Sequence, residues 1–434
     1  MNLLDRAVRA VKELLAREAV RNIGWVYSSR MVTAVMRFAV AVVVARTLGS
    51  EMVGILTIAS VIMGISERLL EMGLTTTMVR KMSLHHSLGE DGEAVSLFKR
   101  VFSIRISVAG VFVVLAWFAA PFVSVRIFGN EALITPLRLA AVGALVWNVW
   151  NNTDGVLRAL ERFRDVAIID VVSHVFRTAL ILLFAWKSIL SVENTLIFNI
   201  SQVLVAFAIT SLIIPASFRR TKDGGKYSIS EIFSYSGWMY AFSIIFMVFD
   251  KLDVLMLGYF RQESEVGLYG VAFTMIKPFE LLPETLNTIF LPKVSKFTRK
   301  LEIFRYFRET LKLTGAIGLL CVVLIFAARP IMMFFYTAEY EPSIQLFQIL
   351  VGAFILLTVL NPFTLIGHSI NKPELFVIMA AINLVLNFTG NLIFIPRYGA
   401  VGAALVTLVS RVLGGILGLL VLKIYLSRWT EEKG

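Results

Sequence analysis

Residues 53–71 read VGILTIASVIMGISERLLE, and residues 266–284 read VGLYGVAFTMIKPFELLPE. At a constant offset of 213, six of the nineteen positions match: Val53/Val266, Gly54/Gly267, Ala59/Ala272, Glu67/Glu280, Leu69/Leu282 and Glu71/Glu284. Shared leucines in two apolar segments carry little information. The carboxylates carry more, because their four-residue spacing in both copies puts each pair on one helical face. The repetition continues at an offset of 209. Val142-Gly143-Ala144-Leu145 pairs with Val351-Gly352-Ala353-Phe354, Asn152 with Asn361, Asp165 with Glu374, and Ser201-Gln202-Val203-Leu204 with Ser410-Arg411-Val412-Leu413. The chain is two related halves of about 215 residues.

With 57% hydrophobic residues, 33 Phe and a mean hydropathy of +0.78, the 434-residue chain has too little charge for a water-facing exterior. The single cysteine, Cys321, leaves no room for a disulfide framework, and four scattered histidines form no metal cluster. No cofactor is called for. Residues 1–22 carry Leu3, Leu4, Val8, Val11, Leu15 and Val20 among cationic side chains, the pattern of an interfacial amphipathic helix and not of a cleaved signal.

Twelve apolar windows follow, each long enough to span a bilayer. They fall near 23–45, 52–75, 101–120, 134–157, 166–187 and 193–215, then 232–258, 266–290, 311–328, 343–368, 374–395 and 399–426. The expected architecture is an all-α polytopic membrane protein. An N-terminal six-helix lobe (23–216) joins a C-terminal six-helix lobe (232–426) through a cytoplasmic linker (217–231), with a cytoplasmic tail at 427–434. Twenty-seven loop cations fall on the side of the N-terminus. Seven fall opposite: Arg46, Arg126, Arg138, Lys187, Arg261, Arg329 and Arg397. Both termini are therefore expected in the cytoplasm. The net charge of +12 is mostly a topology signal, and nucleic acid is not needed to explain it. Six spans per half insert in the same sense, so the halves should be related by a pseudo-two-fold along the membrane normal.

Eight cations remain after the loops are counted and seven acids accompany them, each costing about 2.5–3.5 kcal/mol at a helix centre unless it faces protein or water. For Arg68, Arg105 and Glu71, near the cytoplasmic ends, snorkelling suffices. The deeper groups form stripes: Arg30 and Arg37 on the first span; Asp170, His174 and Arg177 on the fifth; Lys277, Glu280 and Glu284 on the eighth; Asn383, Asn387 and Asn391 on the eleventh. A polar cavity is the economical reading. Arg30, Arg37, Arg177, Lys277 and Arg411 give it a cationic excess suited to an anion such as phosphate. Asp170, His174, Asp250, Asp253, Glu280 and Glu284 are the candidates for coupling to an ion.

The runs ARTLGSEMVGILTIA (45–59) and DVLMLGYFRQESEVGLYGVA (253–272), with ERFRD (161–165) and NKPE (371–374), resemble signature segments of the polysaccharide and oligosaccharide flippases. These belong to the multidrug/oligosaccharidyl-lipid/polysaccharide (MOP) exporter superfamily. The resemblance implies two six-helix lobes around a central cavity opened alternately to each side of the cell membrane. It also implies a polyprenyl-pyrophosphate-linked oligosaccharide as cargo, moved from the cytoplasmic to the outer leaflet by a monomer working beside glycan biosynthesis enzymes. The resemblance implies a cavity that uses basic residues of the first, second and eighth spans; here Arg30 and Arg37 of the first and Lys277 of the eighth are the candidates by position. Two alternatives share the fold. A cation-coupled multidrug antiporter would want an acidic pocket, which Asp170, Asp250 and Asp253 keep open. A peptidoglycan-precursor flippase usually has two further spans. A membrane glycosyltransferase would need catalytic groups on a large loop, and residues 76–100 offer only His85 and His86.

Overall fold

The computed structural model describes residues 3–215, 251–294, 300–369 and 373–428, with residues 218, 240, 244, 247 and 248; side chains are described from Val20, except over 280–304, 307, 360–380 and beyond 420. No strand occurs among the described residues. In chain order the helices are α1 (Leu3–Glu71), α2 (Leu74–Ser87), α3 (Asp91–Phe122), α4 (Ile134–Ala159), α5 (Phe163–Trp186) and α6 (Val192–Ile213). After them come α7 (251–260), α8 (Glu263–Val294), α9 (Lys300–Phe326), α10 (Ala328–Phe335), α11 (Ser343–Ser369) and α12 (Pro373–Arg428).

Seven described helices are long and apolar enough to cross a membrane. Two of them, Val20–Glu71 and Ala381–Leu420, run to 52 and 40 residues. At about 1.5 Å per residue each far exceeds the ~30 Å hydrocarbon core, so each must hold two spans. The break is a glycine in both: Gly49 (φ 77°) and Gly399 (φ 58°), a backbone region that a side chain disfavours. A carboxylate then caps the helix that restarts. Glu339 Oε1 accepts from the Ser50 N–H at 2.6 Å, and Glu265 Oε2 from the Ala400 N–H at 2.9 Å. Just before Gly49, Arg46 donates from Nε and Nη2 to the Phe335 and Phe334 carbonyls, both at 2.6 Å, closing the C-terminus of α10.

The chain forms two compact units. The first comprises Met1–Val43, Ile62–Arg126 and Asn130–Ala241; the second comprises Val44–Val61, Ile127–Gly129 and Phe242–Gly434. In the first, α4 packs on α3 and α6, and α2 lies against α3 and α4. Leu74, Met78 and Met82 of α2 are all buried with Leu97 and Val101 of α3. In the second, α11 contacts α8, α9 and α12. It is apolar all round its circumference, as a helix enclosed by neighbours should be. Within this same unit the 50–61 segment of α1 crosses α8 at Gly54 and Gly267, the pair matched by the repeat. A methyl at Gly54 would overlap the Glu263 carbonyl oxygen, and one at Gly267 the Ser50 carbonyl oxygen. Only glycine lets the backbones approach this closely.

Three expectations need correction. Residues 76–100 are not a loop: α2 fills most of the stretch, because Leu74, Met78 and Met82 recur every four residues and give it an apolar face. His85 and His86 instead pin the turn at Leu88 and Gly89, pairing with Glu90 and Asp91 at 2.8 Å each. The helices that carry the third and ninth spans begin about ten residues before the apolar windows, α3 at Asp91 and α9 at Lys300. Arg105 does not snorkel. It is 2% exposed, donating from Nη2 to the Glu71 carbonyl (3.1 Å) and Thr75 Oγ1 (2.5 Å). Arg68 does reach out, 61% exposed beside Glu71 at 3.0 Å.

Candidate functional site

In the first unit, α5 carries Asp170, His174 and Arg177 at helical intervals, so all three reach the side facing α1 and α6. His174 is 5% exposed. Arg37 of α1 donates from Nε to His174 Nε2 at 3.1 Å. A guanidinium only donates, so Nε2 is the acceptor and the ring proton sits on Nδ1. That proton faces the Asp170 backbone carbonyl at 2.8 Å, with Asp170 Oδ1 at 3.3 Å. Gln202 of α6 completes the frame. Its Nε2 lies 3.2 Å from the imidazole, and its Oε1 accepts from Arg177 Nη1 at 3.3 Å.

Positive charge is left over here. Arg177 Nε is buried without a partner, and the charge that bears on Arg177 is that of Arg37. Among the described residues no acid lies at ion-pair distance from Arg30, Arg37 or Arg177, since Asp170 is engaged by His174. Arg30 lies two turns before Arg37 on α1, and both are exposed. The expected stripe on α5 is therefore present and protein-facing at His174.

The second unit holds a different arrangement. Asp253 on α7 is ringed by neutral donors from α8 and α12. Asn391 Nδ2 lies 2.7 Å from Oδ1, while Tyr269 Oη (2.9 Å) and Thr407 Oγ1 (2.5 Å) donate to Oδ2. Asn391 Nδ2 also donates to Asn387 Oδ1 at 2.9 Å. Both asparagines are buried, and Asn391 Oδ1 has no partner among the described residues. The carboxylate is thus held by neutral groups, beside an amide oxygen with no partner of its own among the described residues. Lys277 is exposed on α8 with Nζ 5.1 Å from the centre of the Phe273 ring, and Arg411 is half-buried on α12. Asp250 and the side chains of Glu280 and Glu284 lie outside the described residues.

Sequence reasoning missed Gln202, Tyr269 and Thr407. One signal was present for Gln202, which occupies the place of Arg411 in the SQVL/SRVL repeat. Tyr269 and Thr407 gave none, because hydroxyls are common in apolar helices and only packing brings these two to one carboxylate.

The profile of the family described as "Polysaccharide biosynthesis protein" matches residues 43–345. Among curated proteins, a probable flippase, AglR, of Haloferax volcanii is 28% identical over 204 residues, which is 43% of this chain and 40% of that relative. The chain thus spans well under half the length of that relative. A putative O-antigen transporter of Shigella flexneri is 22% identical over 372 residues, covering 83% of this chain and 87% of the relative. Among solved structures, an inward-facing multidrug resistance MATE family transporter of the MOP superfamily superposes with a TM-score of 0.76 at 14% identity. It covers 92% of this chain and 96% of its own. The chain shares its all-helical fold with that transporter.

Proposed function

Since the chain belongs to the polysaccharide biosynthesis protein family, and its relatives are transporters and not enzymes, we propose that it flips a polyprenyl-pyrophosphate-linked oligosaccharide across the cell membrane, from the cytoplasmic to the outer leaflet, by alternating access. The observation that carries this reading is the unneutralised pair Arg37 and Arg177, braced by neutral His174 and Gln202. A buried guanidinium without a counter-charge is costly, and an anionic ligand would supply the missing charge. In this reading Arg30, Arg37 and Arg177 engage the pyrophosphate, and Lys277 and Arg411 are the further cations that the sequence offers for it. Both termini face the cytoplasm, where the lipid-linked glycan is made.

Translocation of labelled lipid-linked oligosaccharide in proteoliposomes tests it. Arg37→Ala and Arg177→Ala should each slow translocation about tenfold or more, as expected for losing a charged hydrogen bond worth about 1.5–3 kcal/mol. Arg37→Lys keeps the charge without the planar fork and should fall between Arg37→Ala and wild type. Wild-type rates in Arg30→Ala, Arg37→Ala, Arg177→Ala and Lys277→Ala, with folding verified, would make these cations structural and remove the anion site.

Two coupling groups follow within the same reading: Asp253 as the seat of a coupling cation, and His174 as a proton-responsive contact. Neutral His174 accepts from Arg37; a proton on Nε2 would turn that acceptor into a donor. It would also set an imidazolium against Arg37 of α1 and Arg177 of α5, opposed only by Asp170, with Gln202 of α6 neutral. Protonation there would therefore loosen α1 from α5. His174→Gln keeps an acceptor and takes up no proton, so its translocation rate should lose any pH dependence that His174 gives the wild type. A profile identical to wild type would exclude His174 from the mechanism.

A further inference from the structure

A cavity of about 900 Å³ opens in the second unit where the helix breaks converge. Its lining brings together Arg261, Glu265, Arg329, Glu339, Glu341 and Tyr398 over an apolar floor that includes Leu268 and Leu346. In the topology set by the loop cations, Arg261 and Arg329 lie on the face opposite the N-terminus, the face from which a flipped glycan would leave. The volume falls in the range of small-molecule sites, about 300–1,000 Å³. It has room for more than one sugar ring.

We infer that this cavity binds uncharged sugar rings of the glycan on the exit face; the inference rests on the flippase reading above. Its charge excludes the other end of the cargo. Two arginines meet three glutamates, paired as Arg261–Glu265 and Arg329–Glu341 at 2.9 Å each, so a pyrophosphate would find the cations engaged and the Glu339 carboxylate in excess. An apolar ligand would strand the same five charges. A polyol suits them, because vicinal hydroxyls both donate to carboxylates and accept from guanidinium N–H groups. The carboxylates are already fixed. Glu265 is held by the Ala400 N–H as well as Arg261, and Glu339 by the Ser50 N–H, so binding would not have to order them. Tyr398 supplies an aromatic face on which the C–H side of a pyranose can pack. It is 57% exposed, and Phe394 backs it with ring centres 5.9 Å apart.

The test uses the purified full-length protein in micelles and three neutral disaccharides, maltose, lactose and chitobiose, followed by saturation-transfer NMR, with inorganic pyrophosphate as the charged probe. At least one disaccharide should bind in the millimolar range and should not be displaced by pyrophosphate. Tyr398→Ala should weaken it about tenfold, while Tyr398→Phe leaves it within about twofold. Glu341→Gln should also weaken it, and since the Arg329–Glu341 pair is exposed at 74% and 55%, the fold should not suffer. Unchanged melting temperatures confirm that. Failure of all three disaccharides, or binding indifferent to Tyr398→Ala and Glu341→Gln, overturns the site. The proteoliposome assay separates the two readings. Disaccharide binding without lipid translocation would sink the flippase reading and leave the sugar site standing; translocation without disaccharide binding would sink the site alone.

Discussion

Alanine at Gly54 or Gly267 should cost the protein about 3 kcal/mol or more, at the upper end of overpacking penalties. Alanine at Gly110 should stabilise it by about 0.5–1 kcal/mol. The three substitutions add the same methyl to a helix, so helix propensity favours all of them equally. Their surroundings decide the sign. At Gly54 and Gly267 the new carbon would overlap a backbone carbonyl oxygen of the crossing helix, Glu263 in one case and Ser50 in the other. Neither oxygen belongs to a side chain that could rotate away, so the helices must part. The parting would also disturb neighbouring contacts, since Gly270 sits against Thr57 and Gly258 against Ile58. At Gly110 nothing lies within 4 Å of the added carbon. Melting curves in detergent for the three variants read the result directly, and a Gly54→Ala protein as stable as wild type would disprove the close crossing.

Asp253→Asn should fold normally and transport about ten- to a hundredfold more slowly, the rate equivalent of a charged interaction worth about 1.5–3 kcal/mol. The amide has the carboxylate's shape. With its oxygen toward Asn391 Nδ2 and its nitrogen toward Tyr269 and Thr407, whose hydroxyls can turn to accept, every existing partner is kept. What disappears is the negative charge. Asp253→Leu should behave differently, because it leaves Asn391, Tyr269 and Thr407 without their acceptor. Each stranded group costs about 1–3 kcal/mol, so this variant should melt well below wild type. Rates measured with and without an imposed cation gradient complete the test. If Asp253→Asn responds to the gradient as wild type does, the coupling ion binds elsewhere.

Much of this architecture can be read from residue order. The long apolar windows mark the helices because a bilayer leaves a backbone few alternatives, and the Val53/Val266 repeat locates the duplication. The stripes on α5 and α12 are visible because charged and amide side chains are rare at such depth. Composition hides what depends on distant packing. Arg46 reads as one more loop cation, yet it closes a helix almost three hundred residues away. Glu265 and Glu339 look like ordinary exposed acids, and only the fold brings them to the amides that follow Gly399 and Gly49. Nor does any local pattern assign Val44–Val61 to the second unit, because the glycine that receives Gly54 lies 213 residues further on.

That separation has a cost in time during synthesis. Translation at about 5–20 residues per second puts roughly 10–40 s between the emergence of Gly54 and that of Gly267. Throughout that interval Val44–Val61 is already made, while the segment that will cover its glycine face, and the Glu339 that will cap Ser50, do not yet exist. The second unit therefore cannot be finished until late in translation. A nascent chain arrested before residue 263 would present Ser50, Gly54 and Thr57 as an unmatched small-residue surface in the membrane.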